Sequence, residues 1–312
     1  VSDSPSRTSL PERNPPPDAD LSIGDVAKAT GIGPDTIRAW ERRFGRPKPI
    51  RLPSGHRRYS RHDVRWLRRV AEALARGHRA GVVVPATEQA LDALLGEAPD
   101  KVETPEVKRA LDAVRAYRLE EVEAELDAAW HELETAAFLE ERIVPLVRAV
   151  GRAWADGKLD IRYEHFLTEI LEDFLRARRM ALAVGQSGPA IVLGTLPGEE
   201  HGLGVQMAAL VSADQGFTTH ILGTETPVVE IASGARELHA MAVAISVTLI
   251  TGGVASDQML SELRRALPHH TTLLVGGEGA RRGRRGVRGI VYLNDLHQLA
   301  AWLAASRRDG AA

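Results

Sequence analysis

Ala190-Ile191-Val192-Leu193-Gly194-Thr195-Leu196-Pro197-Gly198-Glu199-Glu200-His201-Gly202-Leu203-Gly204 is the stretch on which the fold turns. Residues 190–193 are an apolar run of strand length, and a helical pattern resumes after Gly204. Between them a Pro-Gly turn leads into a loop that carries Glu199 and His201. Four more short apolar runs, at 220–222, 241–245, 273–275 and 290–293, alternate with helical stretches beyond Gly185. Five strands interleaved with helices predict a parallel, Rossmann-like sheet, whose ligands sit at the carboxyl ends of its strands. His201 is thereby expected at the end of the first strand. A helix over 295–305 should close the chain. The basic cluster Arg281-Arg282-Gly283-Arg284-Arg285 reads as a solvated loop.

Upstream the periodicity changes. From Thr104 to about Val184, Ala, Leu and Val recur at three- and four-residue spacing, with breaks near Tyr117-Arg118, Glu134-Thr135 and Asp156-Gly157-Lys158. That spacing predicts a four-helix bundle. Trp154 and Glu164-His165 flank the last break, so an indole and a carboxylate face one space across a short turn. Read singly, Trp154 is also what a core aromatic looks like, and Glu164-His165 an exposed helix start.

The 312-residue chain has an ordinary apolar content of 44% and a net charge of −2 that conceals an asymmetry. Residues 1–80 hold 17 Lys and Arg against 9 Asp and Glu, and the remainder 23 against 33. One end is therefore suited to meet a polyanion. Within it, Ser22 is a candidate N-cap for a short helix, Gly31-Ile32-Gly33 supplies a turn, and Pro34-Asp35 starts a second helix, Thr36-Ile37-Arg38-Ala39-Trp40-Glu41-Arg42-Arg43-Phe44. Arg38 and Arg42 share a face of that recognition helix. Arg51-Leu52-Pro53-Ser54-Gly55-His56-Arg57-Arg58-Tyr59 then predicts a hairpin wing. Between Thr36 and Arg69 stand twelve Lys or Arg and only Glu41 and Asp63 as acids, so salt-dependent binding of double-stranded DNA is expected. The candidate DNA contacts are Arg38, Trp40, Arg42, Arg43, Arg51, His56, Arg57, Arg58 and Tyr59.

With no cysteine, disulfides, thiolate catalysis and Cys-held metal clusters are excluded. No apolar run approaches the roughly 18 residues that span a bilayer. Residues 1–20, rich in Pro, Ser and charge, read as a disordered leader without a signal-peptide core, which makes the cytoplasm the expected compartment. The expected divisions are 1–20 leader, 21–96 winged helix-turn-helix, 97–104 linker, 105–185 bundle and 186–312 Rossmann-like domain.

The string Arg-Ala-Trp-Glu-Arg-Arg-Phe-Gly (38–45), followed by Gly-His-Arg-Arg-Tyr-Ser (55–60), resembles the DNA-binding domain of the MerR family. That resemblance implies a dimer on an inverted-repeat promoter. Glu199-x-His201-x-x-Gly204 resembles the E/D-x-H-x-x-G motif of cobalamin-binding domains. There the histidine replaces the dimethylbenzimidazole base as lower cobalt ligand, and an adjacent carboxylate can fix its tautomer. Ser246-Val247-Thr248 and Gly276-Gly277 match the companion motifs that receive the displaced nucleotide tail. Trp154-x9-Glu164-His165 resembles the signature of CarH/LitR-type photoreceptors, in which Trp and Glu cover the upper face of adenosylcobalamin.

The resemblance to CarH/LitR proteins spans about residues 21–305. It implies a regulator, not an enzyme: a repressor that binds adenosylcobalamin or another alkylcobalamin, assembles as a homodimer or homotetramer, and releases DNA in light. One position departs from it. A histidine follows the Trp in the best-known members and takes the upper cobalt position after photolysis; here that residue is Ala155. His165 and His131 are the candidate replacements. A corrinoid methyl-carrier module, or a MerR-type regulator of another ligand, a bilin or a protein partner, remain the alternatives.

Overall fold

The computed structural model describes residues 21–30, 32–75, 78–95, 104–155, 159–185, 187–248, 251, 254–280 and 289–310. The expected leader, the linker before Thr104, the break at Asp156-Gly157-Lys158 and the cluster from Arg281 to Arg285 lie outside the described residues.

The head begins with α1 (Ile23–Thr30) and α2 (Pro34–Phe44). Ser22 caps α1 reciprocally: its Oγ accepts from the Asp25 N–H at 3.2 Å, and Asp25 Oδ2 accepts from the Ser22 N–H at 2.8 Å. This capping box satisfies donors that the first turn leaves orphaned. Pro34 stands where its missing N–H costs nothing. The wing is the antiparallel pair β1 (Ile50–Arg51) and β2 (Arg57–Arg58), closed by the Gly55 N–H donating to Leu52 O at 2.8 Å. Then follow α3 (Arg61–Ala75), α4 (Ala80–Val83) and α5 (Glu88–Leu95).

The bundle has α6 (Pro105–Arg115), capped by Thr104, and α7 (Leu119–Glu132). Its third member is one continuous rod: α8 (Thr135–Phe138), a π segment (Leu139–Ile143) and α9 (Val144–Ala155). Pro145 explains the π segment. A proline cannot donate to the carbonyl one turn back, so the ladder widens there without stopping. The fourth member is α10 (Ile161–Ala183).

In the last third, β3 (Ala190–Thr195), α11 (Leu203–Asp214), β4 (Thr218–Gly223), α12 (Val228–Glu237), β5 (Ala242–Ser246), α13 (Val254–Ala266), β6 (Thr272–Gly276), β7 (Ile290–Tyr292) and α14 (Leu296–Gly310) alternate. The five strands expected from sequence are all present and all parallel, in the order β4-β3-β5-β6-β7. The chain leaves β3 toward β4 on one side and returns to β5 on the other. The crevice beyond the carboxyl ends of β3 and β5 is therefore the topological switch point, where such sheets place ligands. Buried Ile191, Leu193, Val205, Leu210 and Leu303 join the core that reaches Leu171 and Leu175 of α10. Val192, Ile231, Val243 and Leu263 fill the opposite face.

Candidate functional site

The carboxyl end of β3 delivers Glu199 into the switch point, where it is 1% exposed. A buried carboxylate needs donors on both oxygens. Oε1 accepts from the His201 backbone N–H at 3.0 Å and pairs with His201 Nδ1 at 2.7 Å. Oε2 accepts from the Thr248 N–H at 3.1 Å, the Thr248 hydroxyl at 2.5 Å and the Thr251 hydroxyl. Burial pushes the carboxyl up, but these hydrogen bonds outweigh it and hold the group down to about 2. With an ionised partner on Nδ1, the His201 imidazole is drawn above its ordinary value by that hydrogen bond, against the opposite pull of burial. In the neutral imidazole the hydrogen bond to Glu199 keeps the proton on Nδ1 and leaves the lone pair on Nε2, in a side chain that is 51% exposed.

His201 offers one nitrogen. A metal held there has to bring its other ligands with it, as cobalt in a corrin ring does, and the carboxylate-imidazole donor set suits that role. The glycines beside it are steric requirements. A Cβ on Gly204 would collide with the Ser246 hydroxyl, and one on Gly277, whose φ is +96°, with the Val247 backbone. The start of α11 thus packs on the Ser246 side chain, the loops after β5 and β6 pack backbone to backbone at Val247 and Thr248, and Gly276 ends β6 next to them. The residues present fit a cobalamin.

The bundle covers this crevice. A Cβ on Gly202 would stand 3.6 Å from Glu172 Oε1 of α10, so α10 runs across the His201 loop. Arg148 of α9 pairs with Glu278 after β6, and the Leu296 N–H at the start of α14 donates to Glu140 at 2.9 Å. Trp154 is 7% exposed near the end of α9, and Glu164 lies in the first turn of α10. Glu164 is among the charges that raise the His201 imidazole. His165 stands 70% exposed beside Glu164. His131, exposed on α7, engages the Asp127 carbonyl through Nδ1 at 2.7 Å. Ala155 ends α9.

In the head, Arg42, Arg43, Arg51 and His56 are exposed, and Arg38 pairs with Asp35 at 2.9 Å. Trp40 and Tyr59 differ from the sequence expectation. Both are buried in the head, at 8% and 0%, so they support the DNA-facing surface from within. Glu41 is the hub: Tyr59 OH donates to one of its oxygens at 2.5 Å and Arg57 Nε to the other at 2.8 Å, while Arg58 donates to the Arg57 carbonyl. Burial and Glu41 raise the Tyr59 phenol far above its usual range. Tyr59→Phe should therefore destabilise the head by about 1–3 kcal/mol, by orphaning a carboxylate oxygen. Thermal denaturation checks it; an unchanged midpoint would show that the hub does not hold the wing.

Sequence reasoning missed Thr251, for which the nearby Ser246-Val247-Thr248 was a hint. It also missed two head residues that reach the bundle. Arg61 donates to Leu159 O and to Asp160, each at 3.1 Å. The Arg68 guanidinium lies 4.4 Å from the Trp154 ring centroid.

A DNA-binding head joined to a helix-capped, Rossmann-like ligand domain is a class of protein that the comparisons define further. Residues 21–83 match the MerR HTH family regulatory protein model, and residues 106–179 and 189–294 match two models of the B12 binding domain. The chain is homologous to two HTH-type transcriptional repressors of Myxococcus xanthus. It is 29% identical to CarH over 83% of this chain and 89% of CarH, and 28% identical to CarA over 90% of this chain and 95% of CarA. Among solved structures, the Methanosarcina barkeri monomethylamine corrinoid protein superposes with a TM-score of 0.51 at 10% identity, covering 63% of this chain and 96% of that one. That likeness is one of fold.

Proposed function

We propose that this chain is a cobalamin-binding, light-responsive transcriptional repressor of the cytoplasm, whose self-association and grip on promoter DNA are set by the upper ligand of the cobalamin. The observation that carries the reading is the Glu199-His201 pair at the switch point, in a chain that also carries Trp154 and Glu164 on the covering bundle and a MerR-type head. The division of the chain at 21–96, 105–185 and 186–312 assigns DNA, upper face and lower face to one unit each.

A bound alkylcobalamin would supply a cobalt–carbon bond that visible light cleaves. The chain's own residues do the rest. His201 Nε2 would hold the metal, with Glu199 keeping the imidazole oriented and its proton on Nδ1. Ser246, Thr248, Gly204, Gly276 and Gly277 would admit the nucleotide tail. Trp154 would exclude water from the ligand and Glu164 would accept from its polar groups, with His165 beside Glu164. Because Ala155 has no ligating atom, the ligand-depleted state cannot be capped from that position. His165 stands beside Glu164, whereas His131 is engaged by the backbone of its own helix. Arg38, Arg42, Arg43, Arg51 and His56 are the head residues assigned to DNA, with Trp40, Arg57, Arg58 and Tyr59 fixing the surface that presents them. Dimeric or tetrameric assembly would gather several heads on one operator, and linked heads bind about 10²–10⁴-fold more tightly than one. A ligand shifts such an equilibrium only by its differential affinity for the two states.

The methyl-carrier reading uses the same two corrinoid-facing units but leaves the head without a task. The test is one experiment. The chain is reconstituted with adenosylcobalamin in darkness and then exposed to green light, and absorption, size-exclusion and gel shift are followed. A base-off, His-on spectrum lost in His201→Ala, with assembly and DNA binding that fall on illumination, is expected. Retained cobalamin without any change in assembly would sink the light-driven step, and no binding would sink the sensor.

A further inference from the structure

Trp154 is covered by the DNA-binding head. Arg68 belongs to α3, yet its guanidinium lies 4.4 Å from the Trp154 ring centroid while its Nε–H donates to the Ala29 carbonyl of the head at 2.8 Å. The same side chain thus spans the two units, anchored on one and stacked on the other. A planar cation over an indole is the most favourable arrangement of its kind, more so where water is excluded. Burial draws the Arg68 guanidinium down to about 10, with the Glu164 carboxylate acting the other way, so it remains a cation at neutral pH. Arg61 adds a second tie, to Leu159 and Asp160 at the turn after Trp154, but its side chain and that of Asp160 are 29% and 49% exposed, so that pair contributes little.

We propose that Arg68 is a latch: without ligand it docks the head on the sensor through the Trp154 face, and a corrinoid entering over His201 takes that face and frees the head. This rests on the function proposed above. Trp154 is only 7% exposed, with the remainder of the indole packed in the core, so guanidinium and upper ligand cannot both occupy it. Displacement also takes Arg68 out of the field of Glu164. Linkage then requires that the factor by which ligand loosens the head be the factor by which the latch weakens the ligand. Arg61 and Arg68 are accordingly head cations turned toward the sensor.

The chain has no cysteine, so a spin-label pair at Ser54→Cys, on the wing, and Glu169→Cys, exposed on α10, reports the head–bundle distance within the 312-residue chain. The background without further change should show one narrow distance distribution in the absence of ligand. Arg68→Met should broaden it, and saturating adenosylcobalamin in darkness should broaden the parent in the same way. Arg68→Met should also bind adenosylcobalamin about 30-fold more tightly, the size of one buried cation–π contact. Arg68→Lys, which keeps the charge but not the planar stack, should fall between. A distribution as narrow in Arg68→Met as in the parent, or an affinity that does not rise, would overturn the latch. Binding by both without head movement would overturn it and leave the proposed function standing. No binding by either would overturn the proposed function and the displacement together.

Discussion

Glu199→Gln should lower cobalamin affinity by about 10–100-fold, the range for removing the partner that orients a metal-ligating histidine. A carboxylate accepts everywhere, and here it is asked to: His201 donates to one oxygen, and Thr248 and Thr251 to the other. An amide keeps one accepting atom. If its oxygen faces His201, its NH2 group meets the Thr248 N–H, two donors opposed in a site that is 1% exposed. If it flips, NH2 faces Nδ1 and stabilises the tautomer with the proton on Nε2, the atom needed for cobalt. Either arrangement costs affinity and stability, since the flipped amide sets its NH2 against the His201 backbone N–H. Titration of adenosylcobalamin by absorption, with thermal melting of the same samples, measures both. Glu200→Gln is the control, since the Glu200 side chain is exposed and should leave affinity unchanged. Equal affinity in Glu199→Gln would mean that His201 is oriented by its loop alone.

The second large effect is on DNA. Each phosphate neutralised by the head lowers the slope of log K against log salt by about 0.9, so a head that covers four or five phosphates loses about two orders of magnitude between 50 and 200 mM salt. A pair of heads on one operator doubles the slope and loses about four. The slope is therefore a count of heads, and it should steepen when the cobalamin-bound chain assembles. Single substitutions divide the surface further. Arg51→Ala, on the exposed side of the wing, should weaken all sequences alike and reduce the slope by about one. Arg42→Ala, on the exposed face of α2, should cost about 1–3 kcal/mol on the operator and less on unrelated DNA. A slope that stays shallow and equal with and without ligand would argue that the heads act singly.

The order of these elements is legible in the chain because it depends on neighbours. Strand length, helical spacing, the Ser22 cap, the Pro34 start and the Gly55 turn are all decided within a few residues, and each stands where the sequence puts it. The π segment was concealed because Pro145 in a helical pattern also reads as an ordinary kink or stop. The Glu199-x-His201-x-x-Gly204 spacing brought the imidazole and carboxylate together for the same local reason, being two residues apart on one loop.

Composition and periodicity by themselves thus determined a basic helix-turn-helix head, a helical bundle and a parallel α/β domain, with a histidine at the end of its first strand. The tertiary structure alone decided which side chains those elements share. Trp40 and Tyr59 look like DNA contacts beside so many arginines, yet the fold turns them inward onto Ile37 and Glu41, since aromatic area is worth more in a small core than at a wet interface. Thr251 reaches Glu199 only because β3 and β5 are neighbours across the switch point. Arg68 reaches Trp154 only because the head rests on the bundle, a contact between units that no spacing along the chain encodes.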